Sequence, residues 1–328
     1  MILITGGAGF IGSCLLAALT ARGQRAVVVD WLGEGDKWRN IARHPPERLL
    51  PPEALDDFLA GPDASAIEAV VHLGAISATT ARDGDLVWRS NVELPRRLWE
   101  FCTRAGIPFL YASSAATYGA AEGADAFSDD PALLGRLRPL NLYGFSKHAF
   151  DLQVMGRLAR GEPAPPQWAG LKFFNVYGPN EMHKGGMISV VKVKYDEVAA
   201  GGPARLFRAD RPGMADGAQA RDFIWIGDVV DVMLWLLDHP AVSGLFNCGT
   251  GTARSYLDLA HAVCDAAGRP RDVAFIDLPE SLRGQYQSFT QADMGRLRAA
   301  GYDRQFTPLE AGISRYVQEH LLRGEPHL

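Results

Sequence analysis

TGGAGFIGS, residues 5–13, follows a short apolar run and opens a helical pattern. Its glycines, Gly6, Gly9 and Gly12, have the spacing of a loop that turns tightly, lets a pyrophosphate approach the backbone, and packs a helix closely on a strand. The next apolar run, RAVVVD, ends at Asp30, where a carboxylate would accept hydrogen bonds from an adenosine ribose. The segment therefore predicts a dinucleotide site at the first strand-to-helix turn.

The residues after Asp30 leave the choice of dinucleotide open. A carboxylate alone favours NAD, because it binds the ribose hydroxyls. Lys37 and Arg39, in EGDKWRN, would instead neutralise the 2′-phosphate of NADP, although both are equally well explained as solvated loop charges. We therefore predict NADP or NAD as the cofactor.

Beyond this segment, short β-branched runs alternate with longer helical patterns. MILIT, RAVVVD, AVVHLGA and IPFLYAS are predicted strands, and FIGSCLLAALTARG and VELPRRLWEFCTRAG are predicted helices that end at glycine. This alternation predicts an α/β fold, a Rossmann doubly wound parallel sheet with a smaller C-terminal α/β substrate-binding lobe. We assign residues 1–174, with 222–249 returning, to an NAD(P)-binding domain, and residues 175–221 and 250–328 to a substrate-binding domain.

Composition excludes several classes of partner. The 328 residues are 47% hydrophobic and 22% charged with a formal net charge of -5, so there is no basic field for nucleic acid. The apolar run VVDVMLWLL is too short to span a bilayer and contains Asp231. No CxxC pair supports a disulfide or a metal site, and MILIT lacks the pattern of a signal peptide. We predict a cytoplasmic protein with a small-molecule partner and no nucleic acid, membrane or metal.

A second motif brings three polar side chains together. Tyr143 and Lys147, in NLYGFSKHAF, lie at positions i and i+4, which share one face of a helix. Such a pair alone is more often a surface pair, but an ammonium beside a tyrosine would also shift the phenol pKa from about 10 towards neutrality. Ser114, in YASSAATYG, ends a predicted strand and would point into the ligand crevice. We therefore predict Tyr143, Lys147 and Ser114 as catalytic residues.

Several motifs carry a resemblance to a known family. TGGAGFIGS, YASSAATYG and YGFSK resemble the extended short-chain dehydrogenase/reductase superfamily and its nucleotide-sugar epimerases. FFNVYGPNEMHKGGM, RDFIWIGDVVDVMLWLL and YQSFTQAD are more specifically similar to the ADP-L-glycero-D-manno-heptose 6-epimerase family, which serves bacterial lipopolysaccharide core synthesis. The likeness runs from the first strand to beyond Tyr302.

The resemblance implies an NAD(P)-dependent isomerase. Enzymes of this kind invert C6″ of the heptose by transient oxidation and re-reduction, so one cofactor stays tightly held in each subunit. The aldehyde rotates and moves its oxygen away from Tyr143, so a second acid/base is needed, and Lys184 in HKG matches that residue. Ser114 would polarise the carbonyl group, and Lys147 would tune Tyr143. The family precedent is a ring-like homo-oligomer, a pentamer.

The resemblance also implies two sets of binding residues. The cofactor would contact Gly6, Gly9, Phe10, Ile11, Gly12, Asp30, Trp31, Lys37, Leu73, Gly74, Ala75, Ile76, Ser77, Asn91, Tyr143, Lys147, Val176 and Lys184. The substrate would contact Ser114, Asn175, Gly186, Val193, Phe207, Arg221 and Tyr286. Asn91 is equally explained as a cap for nearby structure, and Phe207 and Tyr286 as core aromatics.

Some positions depart from the family, and other functions compete. Gly186 replaces the usual serine and Val193 the usual histidine, which leaves the sugar open. A dehydratase would need an Asp-Glu pair where this chain has Ala115 and Ala116. Another nucleotide-sugar epimerase, a net NAD(P)-dependent reductase and, more distantly, a non-catalytic NAD(P)-sensing protein are the alternatives, because fold alone does not fix function.

Overall fold

The computed structural model describes residues 1–121, 124–209, 213–279 and 288–328. The strands are β1 (Ile2–Thr5), β2 (Ala26–Val29), β3 (Arg48–Leu50), β4 (Ala69–His72), β5 (Phe109–Ser114), β6 (Trp168–Phe173), β7 (Asn175–Tyr177), β8 (Ala204–Phe207), β9 (Ala220–Trp225), β10 (Gly244–Cys248), β11 (Ala253–Ser255) and β12 (Val273–Ile276). The α-helices are α1 (Phe10–Ala21), α2 (Arg39–Ala42), α3 (Leu55–Ala60), α4 (Gly84–Trp88), α5 (Leu94–Ala105), α6 (Leu142–Ala159), α7 (Val190–Ala199), α8 (Ile226–Asp238), α9 (Tyr256–Ala266), α10 (Gly295–Ala299) and α11 (Leu309–Arg315). Within these ranges, no helix combines the length and apolar character needed to cross a membrane.

The main sheet contains seven strands in the order β10-β6-β5-β4-β1-β2-β3, and every pair is parallel. This is the strand order of a doubly wound dinucleotide-binding sheet with one further strand, β10. Connections from β1 and β4 leave in opposite directions, which opens a crevice at the carboxyl ends of these two strands. The predicted α/β class and Rossmann sheet are confirmed.

Helices cover both faces of this sheet, which explains why its inner strands are apolar throughout. β1, β2 and β4 are buried at every position. Ile4 shares a core cluster with Leu16 of α1 and Met233 of α8. Its neighbour Leu3 shares another cluster with Trp99 of α5 on the opposite face. The sheet is therefore a rigid layer that fixes the loops at its carboxyl edge.

A smaller lobe is built around two short sheets. β9 pairs in parallel with β7 and antiparallel with β11, and β8 pairs in parallel with β12. Val191 of α7, Leu259 of α9 and Ile313 of α11 belong to the core of this lobe. β9 thus joins a lobe sheet, while α8, which follows it directly, packs against α1. The exact residues of the two predicted domains stay a prediction.

Candidate active site

The glycine-rich loop lies where β1 passes into α1. Gly6 has a φ of +68°, which favours glycine, and a Cβ there would lie 2.5 Å from the backbone nitrogen of Gly74. A Cβ on Gly12 would lie 2.2 Å from the carbonyl oxygen of Gly6. Gly9 caps α1 without a side-chain hydrogen bond, so backbone N–H groups of the first turn are left for an anion. The loop therefore excludes side chains where a pyrophosphate needs close approach.

Asp30 follows β2 and connects the glycine loop to Lys37. One carboxylate oxygen accepts a hydrogen bond from the Ala8 N–H at 3.0 Å, and the other pairs with the Lys37 ammonium at 2.7 Å. The same ammonium donates to the carbonyl oxygen of Trp31 at 2.7 Å. Lys37 is therefore not a freely solvated charge, because it is bonded to the residue predicted to bind the adenosine ribose.

Trp31 and Arg39 lie further out. Trp31 is 47% exposed, and its indole N–H donates to the Glu53 carboxylate at 2.9 Å. Arg39 forms an exposed ion pair with Asp36 at 3.1 Å. Of the two cations that the sequence placed near the ribose, Lys37 is thus the one that pairs with Asp30.

The loop of residues 73–77 follows β4 and borders the glycine loop. The Leu73 N–H donates to the carbonyl oxygen of Thr5 at 3.0 Å. Asn91 holds this loop from the other side, because its side chain accepts from the Ile76 N–H at 2.8 Å and donates to the Ile76 carbonyl oxygen at 3.0 Å. Asn91 therefore caps the loop of residues 73–77. Its predicted contact with the cofactor stays a prediction.

Tyr143 lies in the first turn of α6, close to Ser114 at the end of β5. Asn141 caps α6 by accepting a hydrogen bond from the Gly144 N–H at 2.8 Å. A Cβ on Gly144 would lie 2.6 Å from the carbonyl oxygen of Ala116, so glycine at this position lets α6 approach the turn after β5. This approach brings the Tyr143 hydroxyl near the Ser114 side chain.

Lys147 lies one turn further along α6 and is buried. Its ammonium donates to the carbonyl oxygen of Ala112 at 2.8 Å. Burial lowers the pKa of Lys147 to about 8, against the opposing effect of the Asp151 carboxylate. Burial also raises the pKa of Tyr143, and the hydrogen bond with Ser114 offsets only part of that rise. Desolvation of the phenolate thus dominates the pKa of Tyr143 in this structure, and the tuning of Tyr143 by Lys147 stays a prediction.

Lys184 lies in the short 3₁₀ segment Met182–Met187. Its ammonium nitrogen lies 5.1 Å from the centre of the Phe10 ring, in the first turn of α1. Burial lowers the pKa of Lys184, and the Glu181 carboxylate opposes that shift. A lysine with a lowered pKa exchanges its proton more readily near neutral pH. The structure therefore places a lysine with a lowered pKa beside the first turn of α1.

The residues predicted to contact the substrate lie on several elements: Ser114 on β5, Asn175 on β7, Gly186 after Lys184, Val193 on α7, Phe207 on β8 and Arg221 on β9. Asn175 and Gly186 are exposed, and a Cβ on Gly186 would meet no atom within 4 Å. Arg221 is buried, with its guanidinium 5.7 Å from the centre of the Tyr256 ring. Val176, a predicted cofactor contact, is half-buried in β7. Tyr286 lies outside the described residues.

The sequence reasoning missed two groups of buried polar residues. Asn40 and Asn180 connect the segment Met182–Met187 to the glycine loop. Asp151 and Lys172 form an ion pair at 2.7 Å with both side chains fully buried. One signal for the pair was available, since a lysine inside the strand pattern LKFFNV requires a buried partner. The asparagines had no such local signal.

The residues at the carboxyl edge of β1 and β2 fit a dinucleotide. The glycine cradle admits no side chain, and the first turn of α1 offers N–H groups to phosphate. The Asp30 carboxylate makes two hydrogen bonds and keeps lone pairs for a ribose hydroxyl. Asp30, Lys37 and the loop 73–77 would hold the adenosine end, and Tyr143 and Lys147 the nicotinamide end.

Comparison with known proteins agrees with this geometry. The family model described as NAD dependent epimerase/dehydratase family matches residues 2–249. ADP-L-glycero-D-manno-heptose-6-epimerase from Nitratidesulfovibrio vulgaris (strain Hildenborough) is 48% identical over 332 residues, which cover 100% of both chains. The crystal structure of the Helicobacter pylori protein of the same name is 27% identical with a TM-score of 0.78, and the alignment covers 97% of this chain and 95% of that one. UDP-glucose 4-epimerase from Thermus thermophilus, solved with NAD, is 26% identical with a TM-score of 0.73 and 97% of both chains covered.

The family match begins in β1 and ends just after β10, so it includes every strand of the main sheet. The full-length relative extends the likeness across the smaller lobe. The Rossmann fold, the use of NAD(P) and the isomerase class therefore agree with one another. The chain belongs to the NAD-dependent epimerase/dehydratase family and, within it, to the ADP-L-glycero-D-manno-heptose-6-epimerases.

Proposed function

We propose that this protein interconverts the two C6″ epimers of ADP-glycero-manno-heptose and uses an NAD(P) that it retains between turnovers. The observation that supports the proposal is that the Lys184 ammonium lies 5.1 Å from the centre of the Phe10 ring at the start of α1, where it could act as a second proton-transfer group besides Tyr143. A dehydrogenase that acts on one face of its substrate needs one such group. An epimerase whose carbonyl oxygen moves between half-reactions needs two within hydrogen-bond reach of the oxygen.

The chain's own residues divide the proton transfers between them. When bound, NAD(P) supplies a hydride acceptor and returns the hydride in the same turnover. Tyr143 exchanges the proton of the C6″ hydroxyl in one epimer, with Ser114 as a hydrogen-bond donor to the carbonyl oxygen. Lys184 exchanges the proton in the other epimer. The raised pKa of Tyr143 favours the neutral phenol, so it is well suited to donate a proton when the alcohol re-forms.

Retention of the cofactor distinguishes an epimerase from a net reductase. Purified protein is expected to release NAD or NADP when it is denatured. Without added cofactor, it is expected to convert either pure epimer into the same mixture, followed by proton NMR of the heptose C6″ position. A requirement for stoichiometric added cofactor, with net formation of its reduced or oxidised form, would contradict the proposal. Assembly as a ring-like homo-oligomer stays a prediction of the family resemblance.

We further propose that Lys37 decides how well NADP is accepted relative to NAD. Lys37 partly neutralises Asp30, and its ammonium has three donors, of which two bind Asp30 and Trp31. The third is available to a 2′-phosphate. Lys37→Ala is expected to weaken NADP binding by about tenfold to a hundredfold more than NAD binding, the effect of one charge-assisted hydrogen bond of about 1.5–3 kcal/mol.

Equilibrium titration of cofactor-stripped protein with each dinucleotide measures this discrimination. Arg39→Ala is the matched control, because its guanidinium pairs with Asp36 in an exposed ion pair. The control is expected to change both affinities alike. Equal weakening of NAD and NADP by Lys37→Ala would contradict the assignment.

A further inference from the structure

Asn40, in α2, is 1% exposed, and its side chain bonds to the glycine loop, to residues 180–183 and, through its amide oxygen, to His327 at 2.9 Å. Its amide nitrogen lies 2.9 Å from the carbonyl oxygen of Ala8 in the glycine loop and 3.0 Å from that of Asn180. It also lies 3.1 Å from Nδ1 of His183. A reversed amide would set oxygen against two carbonyl oxygens, so these partners fix the orientation of the side chain.

His183, the residue directly before Lys184, contacts Asn40. Nδ1 of His183 lies 3.1 Å from the Asn40 amide nitrogen, which shares its two hydrogens among this ring and two carbonyl oxygens, and the ring is also bonded to the backbone of Asn180. Burial lowers the pKa of His183 to about 4, with the charges of Lys37 and Lys184 acting in the same direction and Asp30 opposing them. The neutral ring is therefore the stable form at neutral pH.

Asn180 supplies a second attachment. Its φ of 72° makes it the one non-glycine residue with positive φ in the described parts of the chain, and asparagine tolerates this conformation better than most residues. Its amide nitrogen donates to the Ser13 hydroxyl in α1 at 2.9 Å. Its amide oxygen accepts from the Leu328 N–H at 2.8 Å, and its backbone N–H donates to the carbonyl oxygen of Pro326 at 2.9 Å. These bonds attach the start of the Lys184 segment to the helix that carries Phe10.

The far end of the segment is held by Glu181. Its carboxylate accepts from the N–H of Ser189 at 2.7 Å and from the Ser189 hydroxyl at 2.6 Å. Between the two attachments, the segment has its own turn hydrogen bonds, from the Lys184 N–H to the Glu181 carbonyl oxygen at 3.0 Å and from the Ile188 N–H to the Gly185 carbonyl oxygen at 3.1 Å, while Gly185 and Gly186 have no side chains to pack against the rest of the protein. The attachments at Asn180 and Glu181 therefore fix where this short turn, and Lys184 with it, lies against α1.

We propose that Asn40 is a positioning residue for the epimerisation: it holds the segment Met182–Met187 against the glycine loop and so keeps the Lys184 ammonium beside the cofactor. His183 is the link that transmits this restraint. The inference rests on the proposed role of Lys184, but the restraint itself is a property of the protein without substrate. Tyr143 and Ser114, on α6 and β5, lie outside this network and depend on other contacts.

Hydrogen exchange of the purified protein tests the restraint directly. Asn40→Ala is expected to speed exchange of the backbone amides in residues 182–187 by at least about tenfold, while amides of β4 and β5 keep their rates. Asn247→Ala is the matched control: Asn247 is equally buried and donates to the carbonyl oxygens of Phe127 and Asp293, away from the segment. The control is expected to leave residues 182–187 unchanged relative to the rest of the chain. Uniform acceleration in Asn40→Ala would overturn the proposal in favour of a merely structural role.

His183 variants provide a second test if Asn40→Ala fails to fold. His183→Asn keeps an acceptor near the position of Nδ1, whereas His183→Leu removes it. The leucine variant is expected to reduce epimerisation on the order of a hundredfold, as a misplaced catalytic group does, and the asparagine variant to recover most of the loss. With the epimer whose hydroxyl proton Tyr143 accepts as NAD(P) takes the hydride, the leucine variant should also accumulate the absorbance of reduced nicotinamide.

The two readouts separate failure of this proposal from failure of the proposed function. Unchanged hydrogen-exchange rates at residues 182–187 in both Asn40→Ala and His183→Leu would contradict the positioning role of Asn40, whatever reaction the enzyme catalyses. Faster local exchange with unchanged epimerisation would retain the restraint but remove its catalytic purpose and, with it, the assigned role of Lys184.

Discussion

Tyr143→Phe is expected to slow epimerisation by about a hundredfold to ten-thousandfold, because it removes one of the two groups that we propose exchange the substrate proton. The phenyl ring keeps the packing of the first turn of α6, so the loss is specific to the hydroxyl group, which lies near Ser114. Turnover of each pure epimer, followed by NMR, measures the effect. Tyr302→Phe, which deletes the hydroxyl that donates to Asp231 at 2.9 Å, is a matched control with an expected normal rate.

The variant Lys184→Met is expected to show the complementary defect: it should lose the half-reaction that Tyr143→Phe keeps and keep the one that Tyr143→Phe loses. In Tyr143→Phe, one epimer should no longer reduce the bound cofactor, while the other still does so with the help of Lys184. In Lys184→Met, the two epimers should exchange these behaviours. Stopped-flow absorbance of reduced nicotinamide, recorded with each epimer, distinguishes the two patterns.

Two outcomes would contradict the two-group mechanism. Full epimerase activity in Lys184→Met would remove the lysine from the chemistry. The same epimer preference in both variants would show that one group serves both half-reactions. Lys192→Met controls for loss of a lysine charge, since Lys192 pairs with Asp196 on α7.

Much of the fold and of the candidate site could be predicted from local patterns in the sequence. The glycines of residues 5–13 are required by backbone approach, and the structure shows which atoms a side chain would strike. Tyr143 and Lys147 share a face because the spacing i, i+4 does so on any helix. The alternation of apolar runs and helical patterns likewise predicted the parallel sheet, because strands buried on both faces are apolar throughout.

The rest depends on contacts between remote residues. β9 reads as a strand from its residues, but periodicity does not reveal that it pairs with β7 and β11. β3 escaped prediction because Arg48–Leu50 is short and mostly exposed. The direction of the Tyr143 pKa shift depends on how deeply the phenol is buried, which only the packed structure shows. Asn40 meets residues 140 and 143 positions away, so no window of sequence contains the pattern.

Lys172→Met is expected to lower the free energy of unfolding by about 3–5 kcal/mol, the usual effect of leaving one buried charge without its partner. Lys172 and Asp151 are fully buried, and Asp151 also accepts hydrogen bonds from Ser113 at 2.7 Å and Tyr111 at 3.1 Å. Asp151→Asn is expected to have a similar effect, because it leaves the buried Lys172 ammonium without a charged partner. Denaturant unfolding of both variants measures these losses.

The double variant, Lys172→Met with Asp151→Asn, is expected to be more stable than the sum of the single losses predicts, because no uncompensated charge remains. Additive losses would show that the two side chains act independently, which would contradict a coupled pair. All three variants change the same buried pair, so their unfolding free energies can be compared directly with one another.

The two residues of the ion pair are expected to affect the pH dependence of catalysis differently. The Asp151 carboxylate raises the pKa of Lys147, which burial holds at about 8. Without that carboxylate the pKa of Lys147 falls further, so Lys147 loses its proton at a lower pH. In Asp151→Asn, the alkaline decline of epimerase activity should therefore begin at a lower pH than in the natural protein. Lys172→Met keeps the carboxylate and should show no such shift towards lower pH. Identical pH profiles in Asp151→Asn and the natural protein would show that the charge of Lys147 does not limit the reaction.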